Sequence, residues 1–321
     1  MTAGPGALAE ALGELPVCVE TIEVRRRSAP ASDYPGGARP SSVVWLGGRG
    51  AVGLGENVAF TDEEQARFAA HAASLLPEAA FANGAWRGRV GALLGPRALG
   101  YERAALEAAL LDLALRQANT TLAALAGVDR ASLRVVLSFA ARPDPAAHVR
   151  RLRAAGRHEE LKIDVDPAWD AAARAALAGE PGVAVLDFKG RGDAALAAAL
   201  SPLFPAALFE DPPGRATHAR VARDAPLGDA AAVGDALARG EAVNLKAPRM
   251  GGPLEVLRAL ERAGARALAY MGGMFEVDVG RTQARQLAAL YCPDGPNDLA
   301  PLQGSAGTPR LAVRLDTPGF G

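Results

Sequence analysis

Two short stretches of the chain set a lysine beside a carboxylate: LKIDVD (161–166), with Lys162 and Asp164, and AVLDFKG (184–190), with Asp187 and Lys189. A third lysine, Lys246, ends the run AVNLK (242–246), and every other one of the 35 basic residues is arginine. Arginine can replace an exposed lysine at little cost. A guanidinium, however, neither gives up its proton nor acts as a compact point charge. The three lysines are therefore candidates for proton transfer or for holding an anion, together with the carboxylates around them.

Further carboxylates end neighbouring apolar runs: Glu210 and Asp211 in AALFED (206–211), and Asp229 in APLGD (225–229). Asp187, Glu210 and Asp229, taken from consecutive runs, make an all-oxygen donor set of the kind a hard cation such as Mg²⁺ prefers. Asp229 also directly precedes AAAVGDALA, where it could simply cap a helix. Asp211, before Pro-Pro, could equally be a turn residue.

Other chemical signals are weaker. GRGAVG (48–53) spells a dinucleotide-type glycine motif, but LGENVAF follows it and reads as strand, so a hairpin turn is expected instead of a helix opening. His71, His148, His158 and His218 are scattered, have no ligand spacing, and read as surface histidines. Cys18 and Cys292 match no metal or redox spacing.

The runs that carry the charged residues recur in a rhythm. RVVLSFA (134–140), LKIDV (161–165), VAVLDF (183–188), AALFED (206–211), APLGD (225–229), AVNLK (242–246) and ARALAYM (265–271) alternate with helical patterns such as 145–155, 168–178 and 253–264. Strand, helix, strand at this spacing predicts parallel β/α units. Seven in succession favour a closed barrel over a doubly wound sheet, and barrel chemistry sits at the strand ends. Strand periodicity puts Lys162 with Asp164, and Asp187 with Lys189, on one face each.

The first 128 residues differ. ETIEVRRRSAP (20–30) and 41–60 read as antiparallel strands, 62–76 and 101–118 as helices, and 26–42 as a long mobile loop. The expected division is an α+β domain over 1–128, a barrel over 129–295, and a segment 296–321 that returns to the first domain.

A formal net charge of −1 gives no pull toward nucleic acid or an anionic membrane surface. No apolar run reaches the ~18 residues of a membrane span. The opening MTAGPGALAEALGELP has no basic start and apolar core, so no secretory signal is expected, and a cytoplasmic protein is.

With these motifs in order, the chain resembles the enolase superfamily, in its muconate-lactonising and o-succinylbenzoate-synthase branch. GLGENV (53–58) resembles the family's G-x-G-E segment, FEDPP (209–213) its E-Q/D-P strand end, and NLKAPRMGG (244–252) its N-x-K segment. MGGMFEVDVG (271–280) resembles the seventh-strand motif, and TPGFG (317–321) the closing P-G-x-G. The resemblance implies a modified (β/α)7β TIM-type barrel with an N-terminal α+β capping domain. It implies Mg²⁺ held at Asp187, Glu210 and Asp229, and removal of a proton next to a carboxylate to give an enediolate. It assigns Lys162 and Lys246 to acid, base or cationic roles, and Glu276 to organising the site. It also implies a small carboxylate substrate, with specificity set partly by the 26–42 loop, and allows a homo-oligomer.

One departure matters. The family's second strand carries K-x-K with the second lysine as base; here that position is Asp164, and Lys189 stands where the third strand usually has asparagine. Adjacent strands lie roughly 4.8 Å apart, so Asp164 and Lys189 could pair, which keeps Lys189 protonated and leaves Lys246 the conventional acid–base candidate. Alternatively Lys189 loses its proton and becomes the base, or Asp164 is itself a base or an extra metal ligand. The expected activity is that of an Mg²⁺-dependent lyase or isomerase. The alternative is a barrel that has lost the superfamily reaction and serves as a binding or structural protein.

Overall fold

Alternating apolar positions in the first domain build an antiparallel meander, β1 (Thr21–Pro30), β2 (Ala38–Gly48) and β3 (Ala51–Asn57). The computed structural model describes residues 5–30, 37–74, 84–85, 100–128, 132–214, 218, 220–263, 269–277, 279–300 and 309–321. Arg49 and Gly50, at φ 49° and 75°, form the two-residue turn between β2 and β3, so GRGAVG is a hairpin, as expected. Pairing of β1 with β2 continues out to Pro30 opposite Ala38, so most of 26–42 is strand and not the expected loop; residues 31–36 lie outside the described residues. Helices α1 (Asp62–Ser74) and α2 (Gly100–Gln117) cover the meander. Gly53 and Gly55 let β3 approach α2: a Cβ on Gly55 would stand 2.0 Å from the Ala105 carbonyl oxygen.

The apolar runs of the second half become seven parallel strands in chain order: β4 (Val136–Phe139), β5 (Glu160–Asp164), β6 (Val183–Asp187), β7 (Leu208–Glu210), β8 (Val221–Arg223), β9 (Ala242–Leu245) and β10 (Ala269–Met271). Helices between and after them include α3 (Pro145–Ala154), α4 (Ala171–Ala178), α5 (Ala194–Leu200), α6 (Ala230–Ala238), α7 (Pro253–Ala263) and α8 (Val279–Tyr291). Leu161, Ile163, Leu186, Phe188 and Phe209 belong to one buried cluster, while Val185, Leu208, Ala222, Ala242 and Tyr270 form another within the curled sheet. This is the alternation of a barrel wall, with one set of side chains facing the helices and the other filling the interior.

The wall has an eighth position. Asn297 bridges Val135 beside β4, and Asp298 bridges Gly272 beside β10. The Val136 amide donates to the Asn297 carbonyl (2.8 Å) and the Asp298 amide to the Met271 carbonyl (2.9 Å). The barrel therefore extends past residue 295, where the sequence reading ended it. Farther on, 310–312 pairs with 132–134, and the Phe320 amide donates to Asp112 Oδ1 on α2 (2.6 Å). The fold is a TIM-type barrel with an N-terminal α+β cap.

Candidate functional site

Strand register brings the carboxylates together. Asp164 pairs with Asp187 and Asp187 with Glu210, so β5, β6 and β7 present their carboxylates on one rung. β8 contributes Asp224, the residue just past its end. One oxygen each from Asp187, Glu210 and Asp224 lies within 4.8 Å of the others, and all three side chains are buried.

Asp224 is placed by its neighbour across the strands. The Asp211 carboxylate accepts hydrogen bonds from the Asp224 amide (3.2 Å) and the Ala225 amide (2.7 Å), turning the chain at the end of β8. Asp211 adopts φ 43° to do so, and is thus the turn residue its Pro-Pro context allowed.

Asp229, expected in the metal set, is elsewhere. Its side chain accepts from the Ala232 amide (2.8 Å) and caps α6. Asp144, Asp170 and Asp193 do the same for α3, α4 and α5. The reason for the misreading is local: the apolar look of APLGD suggested a strand, but the strand is the shorter VAR (221–223), and Asp224 ends it.

The three lysines converge on the same cluster. Lys162 Nζ lies 2.5 Å from Glu210 Oε1, 3.1 Å from Asp187 Oδ2 and 3.8 Å from Asp298 Oδ2. Lys189 Nζ pairs with Asp187 Oδ2 and lies 3.4 Å from Asp164 Oδ1, so an Asp164–Lys189 ion pair is present. Lys189 lies past the end of β6 at φ 52°, and its amide donates to Asp187 Oδ1 (3.0 Å). A turn, more than the strand pleat, sets it beside Asp187. Lys246 Nζ lies 2.7 Å from Asp224 Oδ2, and Arg249 donates to Asp224 Oδ1 (2.6 Å).

Burial and charge then oppose each other. Burial alone would raise Asp187, but the Lys162 and Lys189 charges outweigh it and hold the carboxyl well below its usual range. Asp224, likewise buried, is brought down to about 2 by Lys246, Lys162 and Arg249. Glu210 goes the other way: burial, assisted by the Asp187 and Asp224 charges, pushes it up to about 8 against the pull of Lys162. Asp164 is raised, mainly by burial, despite Lys189. Burial would lower Lys162, but Glu210 and Asp187 hold it well above the ordinary lysine range. Lys189 is raised too, its burial and the Lys162 charge outweighed by Asp187 and Asp164. Both amines stay protonated.

Three neighbours complete the site, of which only Asn244 lies in a motif offered by the sequence, the N-x-K segment. Tyr270 Oη donates to Glu210 Oε2, and Asn244 Nδ2 bonds both Glu210 oxygens (3.3 and 3.2 Å). Asp298 enters from the closing segment. An interior tyrosine on a strand as apolar as AYM reads as core, and an Asn-Asp pair in a loop reads as a turn, so neither carried a signal. Glu276 is buried and accepts from the Met274 amide (2.9 Å). His218, expected on the surface, is buried, stacked 3.8 Å from Phe209 and bonded to Ser201 Oγ (2.8 Å) and the Ala207 carbonyl (2.9 Å).

A cavity of about 720 Å³ opens above the cluster, bordered by Ser138, Lys162, Asp164, Lys189, Lys246 and Asp298 among others. It is large enough for a small organic ligand. The donor set below it fits Mg²⁺: three oxygen ligands from separate strands, with Tyr270 and Asn244 orienting one of them. Among the described residues, no helix is long and apolar enough to cross a membrane.

Solved structures carry the same architecture. A mandelate racemase/muconate lactonizing protein from Herpetosiphon aurantiacus superposes with a TM-score of 0.79 at 22% identity, over 96% of this chain and 98% of that one. A dipeptide epimerase from Enterococcus faecalis gives 0.75 at 19% identity, over 94% and 98%. A mandelate racemase/muconate lactonizing enzyme from Roseovarius nubinhibens, in complex with magnesium, gives 0.70 at 20%, over 95% of each chain. No curated protein matches the sequence. The fold is thus one that solved members of the enolase superfamily also carry, as the motif order implied. Residues 129–304 match the C-terminal domain, and residues 10–125 the N-terminal domain, of a single family, and the chain belongs to that family, described as domain of unknown function DUF8230.

Proposed function

We propose that this protein is an Mg²⁺-dependent lyase or isomerase that removes a proton next to the carboxylate of a small organic acid. The observation that carries the reading is the convergence of Asp187, Glu210 and Asp224 from three successive strands beneath a cavity edged by amines. Solved neighbours that are named as racemases and epimerases, one of them bound to magnesium, support it. Bound Mg²⁺ would be held by those three carboxylates and would supply positive charge where the substrate's oxygens gain negative charge.

The chain's own residues divide the remaining work. Lys162 and Lys189 are held protonated by their carboxylate partners, so they attract and orient an anionic substrate and are poor bases. Lys246 follows β9, four strands from β5 in a wall of eight positions, and so faces Lys162 and Asp164 across the barrel. We assign it the proton transfer. Asp164, its carboxyl raised by burial, borders the opposite wall and is the second group able to carry a proton.

A second reading has one observation in its favour. Each of the three lysines already has a carboxylate partner, as in a barrel that retains the site as a charged core and only binds ligands. Exchange of α-protons in D₂O, measured across a panel of small carboxylates with and without Mg²⁺, separates the two. Metal-dependent exchange is expected. It should fall by about 10²-fold or more in Lys246→Ala and by less in Lys189→Ala. Asp224→Asn should abolish it and Asp229→Ala should spare it. No exchange in any substrate, with Mn²⁺ demonstrably bound, would leave the binding reading.

A further inference from the structure

We infer that Lys162 is a built-in counter-cation: its ammonium takes the place between Asp187 and Glu210 that a divalent ion would occupy, and metal loading must displace it toward Asp298. This rests on the metal-site reading above and adds a property of the chain to it.

The atoms already spoken for point to this place. Glu210 Oε2 accepts from Tyr270 Oη and, with Oε1, from Asn244, which leaves Oε1 as the oxygen less committed to neutral donors. That oxygen is the one 2.5 Å from Lys162 Nζ. Asp187 Oδ1 is held by the Lys189 amide, and its other oxygen, Oδ2, pairs with Lys189 Nζ from the rim and lies 3.1 Å from Lys162 Nζ on the buried side. The ammonium therefore holds one oxygen from each of two carboxylates that the metal site needs. An ammonium and a divalent cation cannot share that space, because two positive centres a few Å apart in a buried site repel strongly even at an effective dielectric of about 20.

Displacement has somewhere to go. Lys162 is 1% exposed yet borders the cavity, and Asp298 Oδ2, on the segment that closes the wall, is 3.8 Å from its Nζ. Asp298 is itself partly open to the cavity. A modest shift would trade Glu210 and Asp187 for Asp298 and present a protonated amine to an incoming anion. Metal uptake and exposure of Lys162 are then one event, and metal affinity is set in part by the lysine it must evict.

The test is Mn²⁺ binding, followed by electron paramagnetic resonance, to the wild-type chain and to Lys162→Met. The variant should bind at least about tenfold more tightly, since the competing charge is gone. Equal affinities would overturn the inference while leaving the metal site standing. Absence of Mn²⁺ binding in both proteins would overturn the metal site and this inference together. Because Lys162→Met leaves buried carboxylates without their partner and could unfold, a second measurement uses the wild type alone. Acetic anhydride labelling, mapped by mass spectrometry, should leave Lys162 protected without metal and label it several-fold more with Mg²⁺. Unchanged labelling in the presence of bound metal would likewise count against displacement.

Discussion

Asp187 and Glu107 are two enclosed carboxylates that end up on opposite sides of the ordinary range. Asp187 sits at the barrel mouth between Lys162 and Lys189, and those two charges overcome its burial. Glu107, on α2, is turned toward the start of α7, where it accepts from the Leu254 amide (2.7 Å). Burial pushes it up to about 7, since that single amide and the more distant Arg258 and Arg103 pull too weakly. Desolvation acts on both in the same direction, and the number of cations in contact decides the sign. Asp187 is therefore a cation-matched position within the site, and Glu107, at the cap–barrel junction, its cation-poor counterpart.

The match can be broken from the cation side. Lys162→Met should cost about 3–5 kcal/mol, the range expected when one partner of a buried ion pair is removed and the other left unpaired. Urea denaturation of the two proteins measures it. Added Mn²⁺ should restore much of the loss, by binding the folded form only. A loss below about 1 kcal/mol would mean that the carboxylates take up protons instead of needing the amine.

The same contrast explains what was legible in the sequence. Asp187 and Glu210 were found because they lie inside strands whose hydrophobic alternation is clear, so register alone places them. Lys162 and Asp164 followed for the same reason. Asp224 escaped because β8 is only three residues long and contains an arginine, while its position is fixed by a hydrogen bond from its amide to Asp211, a contact made across strands. Asp229 drew attention instead, though its spacing before an alanine-rich helix matches the caps at Asp144, Asp170 and Asp193. The cap was readable as strands and helices, yet the extent of its first hairpin was not: serine, proline and arginine over 26–42 are poor strand formers, and pairing between β1 and β2 overrides that preference.

The cation-poor side should show itself through pH. Glu107 has a folded-state pKa near 7 against an ordinary value of 4.5, so the folded chain binds the proton more tightly than the unfolded one. Its contribution to stability is then fully present below about pH 4.5 and is lost as pH rises through about 7. Asp224, brought down to about 2, works in reverse: its contribution is present above about 3.8 and is lost as pH falls toward 2. Glu107→Gln should remove the first dependence and leave the second, so the variant's stability curve should be flatter than wild type between pH 4.5 and 7. Parallel curves through that window would show that Glu107 is not the group responsible.

The smallest effect is expected at the rim of the site. Lys189 pairs with Asp187 and Asp164, as Lys162 pairs with Asp187 and Glu210, but its side chain is 39% exposed, whereas that of Lys162 is 1% exposed. Water competes for its ammonium, and Asp187 retains Lys162 when Lys189 is gone. Lys189→Met should therefore cost no more than about 1 kcal/mol, the usual worth of a solvent-accessible pair. Urea midpoints in low and high salt would check this, because salt screens the rim pair and leaves the buried one nearly untouched. A loss as large as that of Lys162→Met, insensitive to salt, would place Lys189 in the buried network and dissolve the distinction between floor and rim. A small, salt-sensitive loss would leave Lys189 free to serve as a mobile cation at the cavity mouth, the role that its left-handed backbone and partial exposure suit.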